Sequence, residues 1–299
     1  MLRHHREPAG SPARVVVLGS RGFLGAATVA ALRKSGIMTL AVPSTELDLA
    51  SAGADDRLAA MLRPDDALVM FSALTPDKGK DIATMNRNLA MATAVCAALA
   101  KRKIDHAIYI SSDAVYGEAP ALVDERTPAA PDALYGVMHL ARELMFRSAM
   151  AADALCILRP TLIYGAADSH NSYGSNRFRR QAAKEGKISI FGDGEETRDH
   201  VLVDDVAELI RQCLIHKSAG VLNAVSGRSL SFLRVAELVA KQFSSPVPVE
   251  RKPRGPGGVI THRSYDIADC RKAFPSFRWT AAEEGFAKAQ RDMLAAGGG

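Results

Sequence analysis

The residues most suggestive of chemistry stand in one short turn. Gly19-Ser-Arg-Gly22-Phe-Leu-Gly25 follows an apolar run at 14–19 and opens a stretch of helical composition. Glycines so spaced permit a tight turn, let backbone approach a pyrophosphate and let a helix pack closely on a strand. The helix N-terminus then meets the negative charge with free N–H groups. A glycine triplet alone is weak evidence, but the strand before it and the helix after it supply the context a dinucleotide site requires. Gly19, Gly22 and Gly25, with Phe23 and Leu24 between them, are therefore expected to hold a dinucleotide. Arg21 could meet a 2′-phosphate, which favours NADP over NAD; a plain solvated surface residue is the other reading. Pro43-Ser-Thr45 closes the second apolar run, where an acid for the ribose hydroxyls of NAD would be sought. Glu46 and Asp48 come slightly later, and Asp48 joins the cofactor candidates with Ser72, which closes the third run.

The elements that must position these residues alternate. Apolar, nearly continuous runs at 14–19, 38–43, 67–72, 106–111 and 155–160 read as strands buried on both faces. Between them lie Ala-rich helical stretches at 23–34, 55–62, 82–101 and 132–150. This rhythm predicts an α/β fold, a doubly wound parallel sheet with right-handed crossovers. It breaks after Pro160. Residues 165–176 read as a long loop, 204–215 and 231–243 as helices, and the Pro-rich, basic segment 245–258 as a second binding loop. The expected dinucleotide domain covers 13–165, with a segment returning to it at about 200–226. The substrate domain takes 166–199 and 227–295, leaving 1–12 and 296–299 as flexible tails.

Composition narrows the function classes. At 299 residues, 47% hydrophobic and 24% charged, the chain is neither disordered, collagenous nor a disulfide scaffold. No apolar run reaches membrane-span length, and the basic N-terminus lacks the apolar centre of a signal peptide. Cys96, Cys156, Cys213 and Cys270 stand far apart without CxxC spacing, which argues against a metal and for free thiols in a reducing cytoplasm. A net charge of +5 comes without aromatic-basic interleaving. A pocket for a phosphorylated small molecule fits it as well as nucleic acid, which is not expected as a partner.

Four further stretches carry a family resemblance. Ser111-Ser112-Asp113-Ala-Val-Tyr-Gly117, Tyr135-Gly-Val-Met-His139-Leu-Ala-Arg-Glu143, Arg159-Pro-Thr-Leu-Ile-Tyr-Gly165 and Phe191-Gly-Asp-Gly-Glu-Glu-Thr-Arg198-Asp-His-Val-Leu-Val-Asp204-Asp205 stand in order along the chain. Together with the GxxGxxG turn they resemble the extended short-chain dehydrogenase/reductases, in particular the NAD(P)-dependent nucleotide-sugar epimerase/dehydratase-like family, over roughly 14–293. The resemblance implies a Rossmann domain with a smaller interleaved C-terminal α/β domain. It implies epimerisation or 4-keto reduction of a nucleotide-diphosphate sugar. Ser112 would hydrogen-bond the reacting hydroxyl or carbonyl, and Tyr135 would move its proton while hydride passes to or from nicotinamide. Arg198 would bind the diphosphate, a task suited to its planar fork. Asn176 and Arg177 would add sugar or phosphate contacts, and Arg254 or Arg263 would clamp the nucleotide. Helices 82–101 and 132–150 would pair into a four-helix homodimer. The resemblance also makes Asp113 a catalytic candidate, since an Asp after the Ser/Thr occurs in deoxysugar 4-ketoreductases; followed by Ala114 it lacks the second carboxylate of the dehydratases, so elimination is disfavoured, and a turn-forming Asp113 is the structural reading. Asp204 and Asp205 read as caps of the following helix, and Leu162 departs from the family's frequent Asn.

One departure is critical: the lysine of the family's YxxxK is His139. Positions 135 and 139 share a helix face, so His139 can still reach the catalytic and cofactor groups. Imidazole, however, is mostly neutral at pH 7, where lysine is charged. Three readings stay open. His139 serves as a weaker partner, Arg142 or Arg147 compensates, or the site is retired and the fold kept for binding cofactor and sugar nucleotide.

Overall fold

The computed structural model describes residues 2–118, 121–168, 170–171, 174–255 and 260–297. In chain order, β1 (Arg3–His4), β2 (Arg14–Leu18), α1 (Phe23–Lys34), β3 (Thr39–Val42), α2 (Ala54–Met61), β4 (Asp66–Met70), α3 (Ile82–Lys101) and β5 (His106–Ile110) come first. A 3-10 turn (Asp113–Tyr116) and β6 (Leu122–Val123) lead into α4 (Leu134–Ala149) and β7 (Leu155–Pro160). The second half runs β8 (Leu162–Tyr164), α5 (Ser175–Glu185), β9 (Ile188–Phe191), β10 (Thr197–Leu202), α6 (Val203–Ile215), β11 (Ser218–Ala224) and β12 (Ser229–Ser231). It ends with α7 (Phe232–Ala240), β13 (Val249–Lys252), β14 (Ser264–Tyr265), α8 (Ala268–Ala273) and α9 (Ala282–Ala295).

The apolar runs become the interior of a seven-stranded sheet of order β1-β11-β7-β5-β4-β2-β3, parallel except for β1. β4 and β7 are buried along their whole length. Their uniform hydrophobicity follows from helices covering both faces. One face packs α1 and α6 around Val15, Val17 and Leu209, and the other packs α2, α3 and α4 around Leu68, Val95 and Phe146. Each fully buried Val, Leu or Phe contributes about 1.5–3 kcal/mol. From β2 the chain goes outward to β3 and then returns across β2 to β4, so the winding reverses between β2 and β4. In open α/β sheets, ligands bind in the crevice at the carboxyl ends of such strands.

The smaller layer is built from the three-stranded sheet β12-β10-β8, the pair β13-β9 and helices α5, α7 and α9. Phe178, Ile190, Phe232, Val235 and Phe286 form its core. The chain leaves the large sheet after β7 and re-enters through α6 and β11, which interleaves the two layers. Among the described residues, no helix is long and apolar enough to cross a membrane.

Three local expectations change. The N-terminal segment, expected as a flexible tail, pairs β1 with β11, and His4 bonds Ser218 Oγ (2.9 Å) and the Ala273 carbonyl (2.8 Å). The segment expected as a loop at 245–258 contains β13, which adds in parallel to β9; residues 256–258 lie outside the described residues. Asp204 and Asp205 sit inside the first turn of α6 instead of capping it. Asp205 accepts from Thr280 N and Oγ1, both at 2.8 Å, and so ties the C-terminal segment down. At the other terminus, residues 298–299 of the expected tail are outside the described residues.

Candidate active site

The glycine turn adopts the shape its spacing predicts. A Cβ at Gly25 would stand 2.3 Å from the Gly19 carbonyl, so only glycine lets α1 close on the turn. Gly22 caps α1 with extended backbone and no side-chain bond, leaving the first-turn N–H groups unclaimed by any cap. Such a cradle fits a pyrophosphate. Phe23 and Leu24 begin the helix and pack into the core of that face. Across the crevice the turn touches the segment that follows β4: a Cβ at Gly19 would lie 3.0 Å from Ser72 N and Oγ. The exposed Arg21 reaches Thr45 Oγ1 at 3.4 Å and borders a shallow depression shared with Arg33, Pro43 and Glu46. Asp48 accepts from Ala50 N (3.0 Å) and faces Arg87 at 3.4 Å. The residues present therefore fit a dinucleotide. Arg33, which the sequence reading did not single out, is a second cation on the same depression as Arg21.

Tyr135 opens α4, which sits directly on the 3-10 turn. A Cβ at Gly136 would come within 2.2 Å of the Ala114 carbonyl, which explains the small residue after the tyrosine. Ser112 caps that turn, its hydroxyl accepting from Ala114 N at 3.2 Å. The same side chain acts to lower the pKa of the Tyr135 phenol. Tyr135 forms part of the wall of a cavity of about 330 Å³, with Leu74, Lys80, Gly117 and Arg263 among its neighbours. Burial and the Asp113 carboxylate push the phenol up to about 12, while Arg142 and Ser112 pull it the other way. Asp113 is held by Tyr265, whose hydroxyl donates to Oδ2 at 2.6 Å.

His139 is fully enclosed. Its Nδ1 shares a 2.7 Å hydrogen bond with the Tyr109 hydroxyl, and its ring stands edge-on to Tyr135 at 4.7 Å between centroids. Burial, reinforced by Arg142, drives its pKa well below the usual histidine value, so the ring is neutral at pH 7. Arg142 is also wholly buried and donates to the Ser72 carbonyl at 2.7 Å. Arg147 lies half exposed, 3.7 Å from Glu143.

The expected sugar-nucleotide residues divide. Arg263 is buried against the Gly117 carbonyl and belongs to the Tyr135 cavity. Arg198 and Arg254 do not line it; both reach the Glu196 carboxylate, at 2.8 and 3.5 Å. Arg198 also donates to the Thr261 carbonyl at 2.9 Å. The Asn176 amide is engaged within the chain, with Gly165 N, Ile163 O and Arg179. Arg177 is half-buried in the first turn of α5. Asp199, next to Arg198, accepts from Ser226 Oγ and Gly227 N and so fixes the turn after β11.

The frame around these groups includes pairings that spacing alone does not reveal. Glu143, two turns beyond Tyr135, forms a bidentate pair with Arg159 (2.8 and 2.7 Å) and accepts from Ser111 Oγ at 2.6 Å. Arg159 in turn donates to Tyr116, which donates to Asn223. This network ties α4 to the ends of β5, β7 and β11. Both charged residues were present in the motifs, but only the fold gives them a task. Tyr265 carries no sequence signal for its contact with Asp113, 152 residues away.

The dTDP-L-rhamnose 4-epimerase of Burkholderia thailandensis is 28% identical to this chain over 268 residues, covering 74% of this chain and 73% of that protein. The structure of the Thermus thermophilus UDP-glucose 4-epimerase in complex with NAD superposes with a TM-score of 0.82 at 20% identity, covering 95% of this chain and 99% of that one. A GDP-L-fucose synthetase from Naegleria fowleri bound to NADP superposes with the same score at 16% identity, covering 98% and 97%. At these identities the structural likeness establishes the fold, an α/β Rossmann architecture. Residues 15–225 match the sequence profile of the NAD-dependent epimerase/dehydratase family, well over half of the chain, and the chain belongs to that family.

Proposed function

We propose that the protein is an NAD(P)-dependent epimerase acting at C4 of a nucleotide-diphosphate sugar, with 4-keto reduction as the related alternative. The observation that carries this reading is the Tyr135 phenol on the wall of a cavity that Leu74 and Arg263 also line, with the glycine turn packed on Ser72, two residues before Leu74. A relative named for 4-epimerisation of a dTDP-sugar supports the substrate class. Gly19–Gly25, Ser72, Asp48 and Arg21 would hold the dinucleotide, whose nicotinamide supplies the hydride acceptor and donor. Tyr135 takes the proton of the sugar hydroxyl as the carbonyl forms and returns it when the carbonyl is reduced. Ser112 orients the reacting oxygen, and Asp113, fixed by Tyr265, keeps a negative charge beside the phenol. Arg198, with Arg177, Arg254 and Arg263, is assigned to the diphosphate and sugar, and Asn176 to shaping the loop above them. Arg21 and Arg33 favour NADP.

The outer face of α3 and α4 exposes Ile82, Leu134, Val137 and Leu144, which supports pairing of these helices in a homodimer. Free cysteines, with Cys213 beside Cys156, support a reducing, cytoplasmic setting.

The test has two steps. Mass spectrometry of nucleotide released on denaturing the purified protein identifies the cofactor. Proton NMR with a panel of UDP-, GDP- and dTDP-sugars then reads turnover. Interconversion of C4 epimers, lost in Tyr135→Phe with cofactor binding intact, is the expected result. Tight binding of cofactor and sugar nucleotide without turnover of any panel member would replace the enzyme by the retired, ligand-binding reading that neutral His139 suggests.

A further inference from the structure

We infer that Arg142 is the fixed cation of this site: its guanidinium, and not the His139 ring, stabilises the ionised form of Tyr135. The inference rests on the role given to Tyr135 above and makes Arg142 a positioning residue that acts through the phenol. Tyr135, His139 and Arg142 follow one another at i, i+4 and i+7 and so share a face of α4. Arg142 is completely buried, yet among the described residues no carboxylate stands within ion-pair distance of it. Its partners are the Ser72 carbonyl at 2.7 Å, the Met70 and Met138 sulfurs at 3.4 and 3.8 Å, and the face of the Tyr109 ring at 5.3 Å. Its Nε has no partner.

This differs from the chain's other deeply buried arginine in the same helix's surroundings. Arg159 is neutralised bidentately by Glu143. A guanidinium left unpaired at such depth is costly, and it cannot shed its proton as a buried lysine or histidine can. The place of Arg142 accounts for that cost. It grips the carbonyl of Ser72, the residue against which Gly19 of the dinucleotide turn packs, so the charge lies at the end of β4 beside the crevice. His139 cannot supply that charge. Its Nδ1 is tied to Tyr109, its Nε2 is unpartnered, and its neighbourhood keeps it neutral. The other charges acting on Tyr135 are Asp113 from the 3-10 turn and Asp77 from the loop after β4, both of which oppose ionisation. Lys80 and Arg263 stand on the cavity wall. Arg142 is the charge that opposes the two carboxylates from within the helix itself.

The test reads the phenol directly. Difluorotyrosine placed at position 135 carries a much more acidic phenol, so its ionisation falls at pH values the fold tolerates, and fluorine NMR follows that single residue in the full-length protein. In the Arg142→Met background the titration midpoint is expected to rise by about 1–3 pH units. Arg142→Lys, which keeps a cation, is expected to restore most of the difference, and His139→Gln to leave the midpoint in place. An unmoved midpoint in folded Arg142→Met overturns the inference. So does a rise of a full pH unit in His139→Gln, which also decides the matter should Arg142→Met not fold. The titration needs neither cofactor nor sugar. A shifted midpoint in a protein that turns over no sugar nucleotide therefore counts against the function proposed above and leaves this assignment standing.

Discussion

Removing the Glu143 carboxylate should cost more stability than any exposed ion pair in the protein. Glu143 is fully buried and Arg159 nearly so. The two share two short bonds, and the free side of the carboxylate is taken by Ser111 Oγ. Glu143→Leu strands a guanidinium whose remaining partner is the Tyr116 hydroxyl. Breaking one side of a buried pair typically costs about 3–5 kcal/mol, because the remaining charge is left uncompensated. At roughly 2 °C per kcal/mol for a chain of this size, the melting temperature should fall by about 6–10 °C. Glu143→Gln, which keeps the shape and loses the charge, should fall between wild type and Glu143→Leu. Replacing both partners, Glu143→Leu with Arg159→Met, should recover most of the loss, since the desolvation of both ions disappears with them. Urea unfolding of wild type, Glu143→Leu, Arg159→Met and the double variant measures the cycle. The reasoning is refuted if Glu143→Leu loses under about 1 kcal/mol, or if the double variant loses the sum of the singles. Because this pair fixes the helix that carries Tyr135, turnover in Glu143→Leu should drop even at temperatures where the protein stays folded.

Other expectations follow from the same geometry. Arg21→Ala should weaken NADPH binding roughly tenfold to a hundredfold while sparing NADH; equal losses in calorimetry would mean that Arg21 only shapes the turn. Arg198→Ala should weaken sugar-nucleotide binding by a similar factor with cofactor binding unchanged, and unchanged affinity for the UDP-, GDP- and dTDP-sugar panel would remove Arg198 from the site. Leu144→Glu should convert a dimer to a monomer in analytical ultracentrifugation, and a monomeric wild type would end that reading. His106 and His200, held by burial at about 4 in the fold against about 6.5 unfolded, contribute stability that is full above pH 6.5 and lost as pH falls toward 4. Each adds a slope of about 1.4 kcal/mol per pH unit in that window. A melting temperature that stays flat from pH 6.5 to 4.5, or histidine NMR resonances that titrate near pH 6.5 in the folded protein, would contradict this.

The sheet was legible because its strands are buried on both faces, so their runs are apolar without interruption. The shape of the glycine turn was legible because glycine is demanded by backbone approach, as Gly25 illustrates. What stayed hidden has a physical reason in each case. β1 is too short to carry a pattern, and β13 lies in a proline-rich stretch that reads as loop. Helical spacing placed His139 on the face of Tyr135 but left Arg142 and Arg147 as equals. Packing against β4 buries the first and leaves the second half exposed. The Asp113–Tyr265 contact joins residues 152 positions apart, and no local pattern encodes such a pairing. Aspartates at 204 and 205 looked like caps by type, but the chain uses Asp205 to anchor Thr280 instead.

The most direct test of the central claim is the fate of a single hydrogen. A sugar nucleotide bearing deuterium at C4 should be converted to its epimer with the deuterium still on C4, without net accumulation of reduced cofactor. Tyr135→Phe should give no conversion. Loss of the deuterium to solvent, or the absence of any epimer with every sugar nucleotide of the panel, would contradict it.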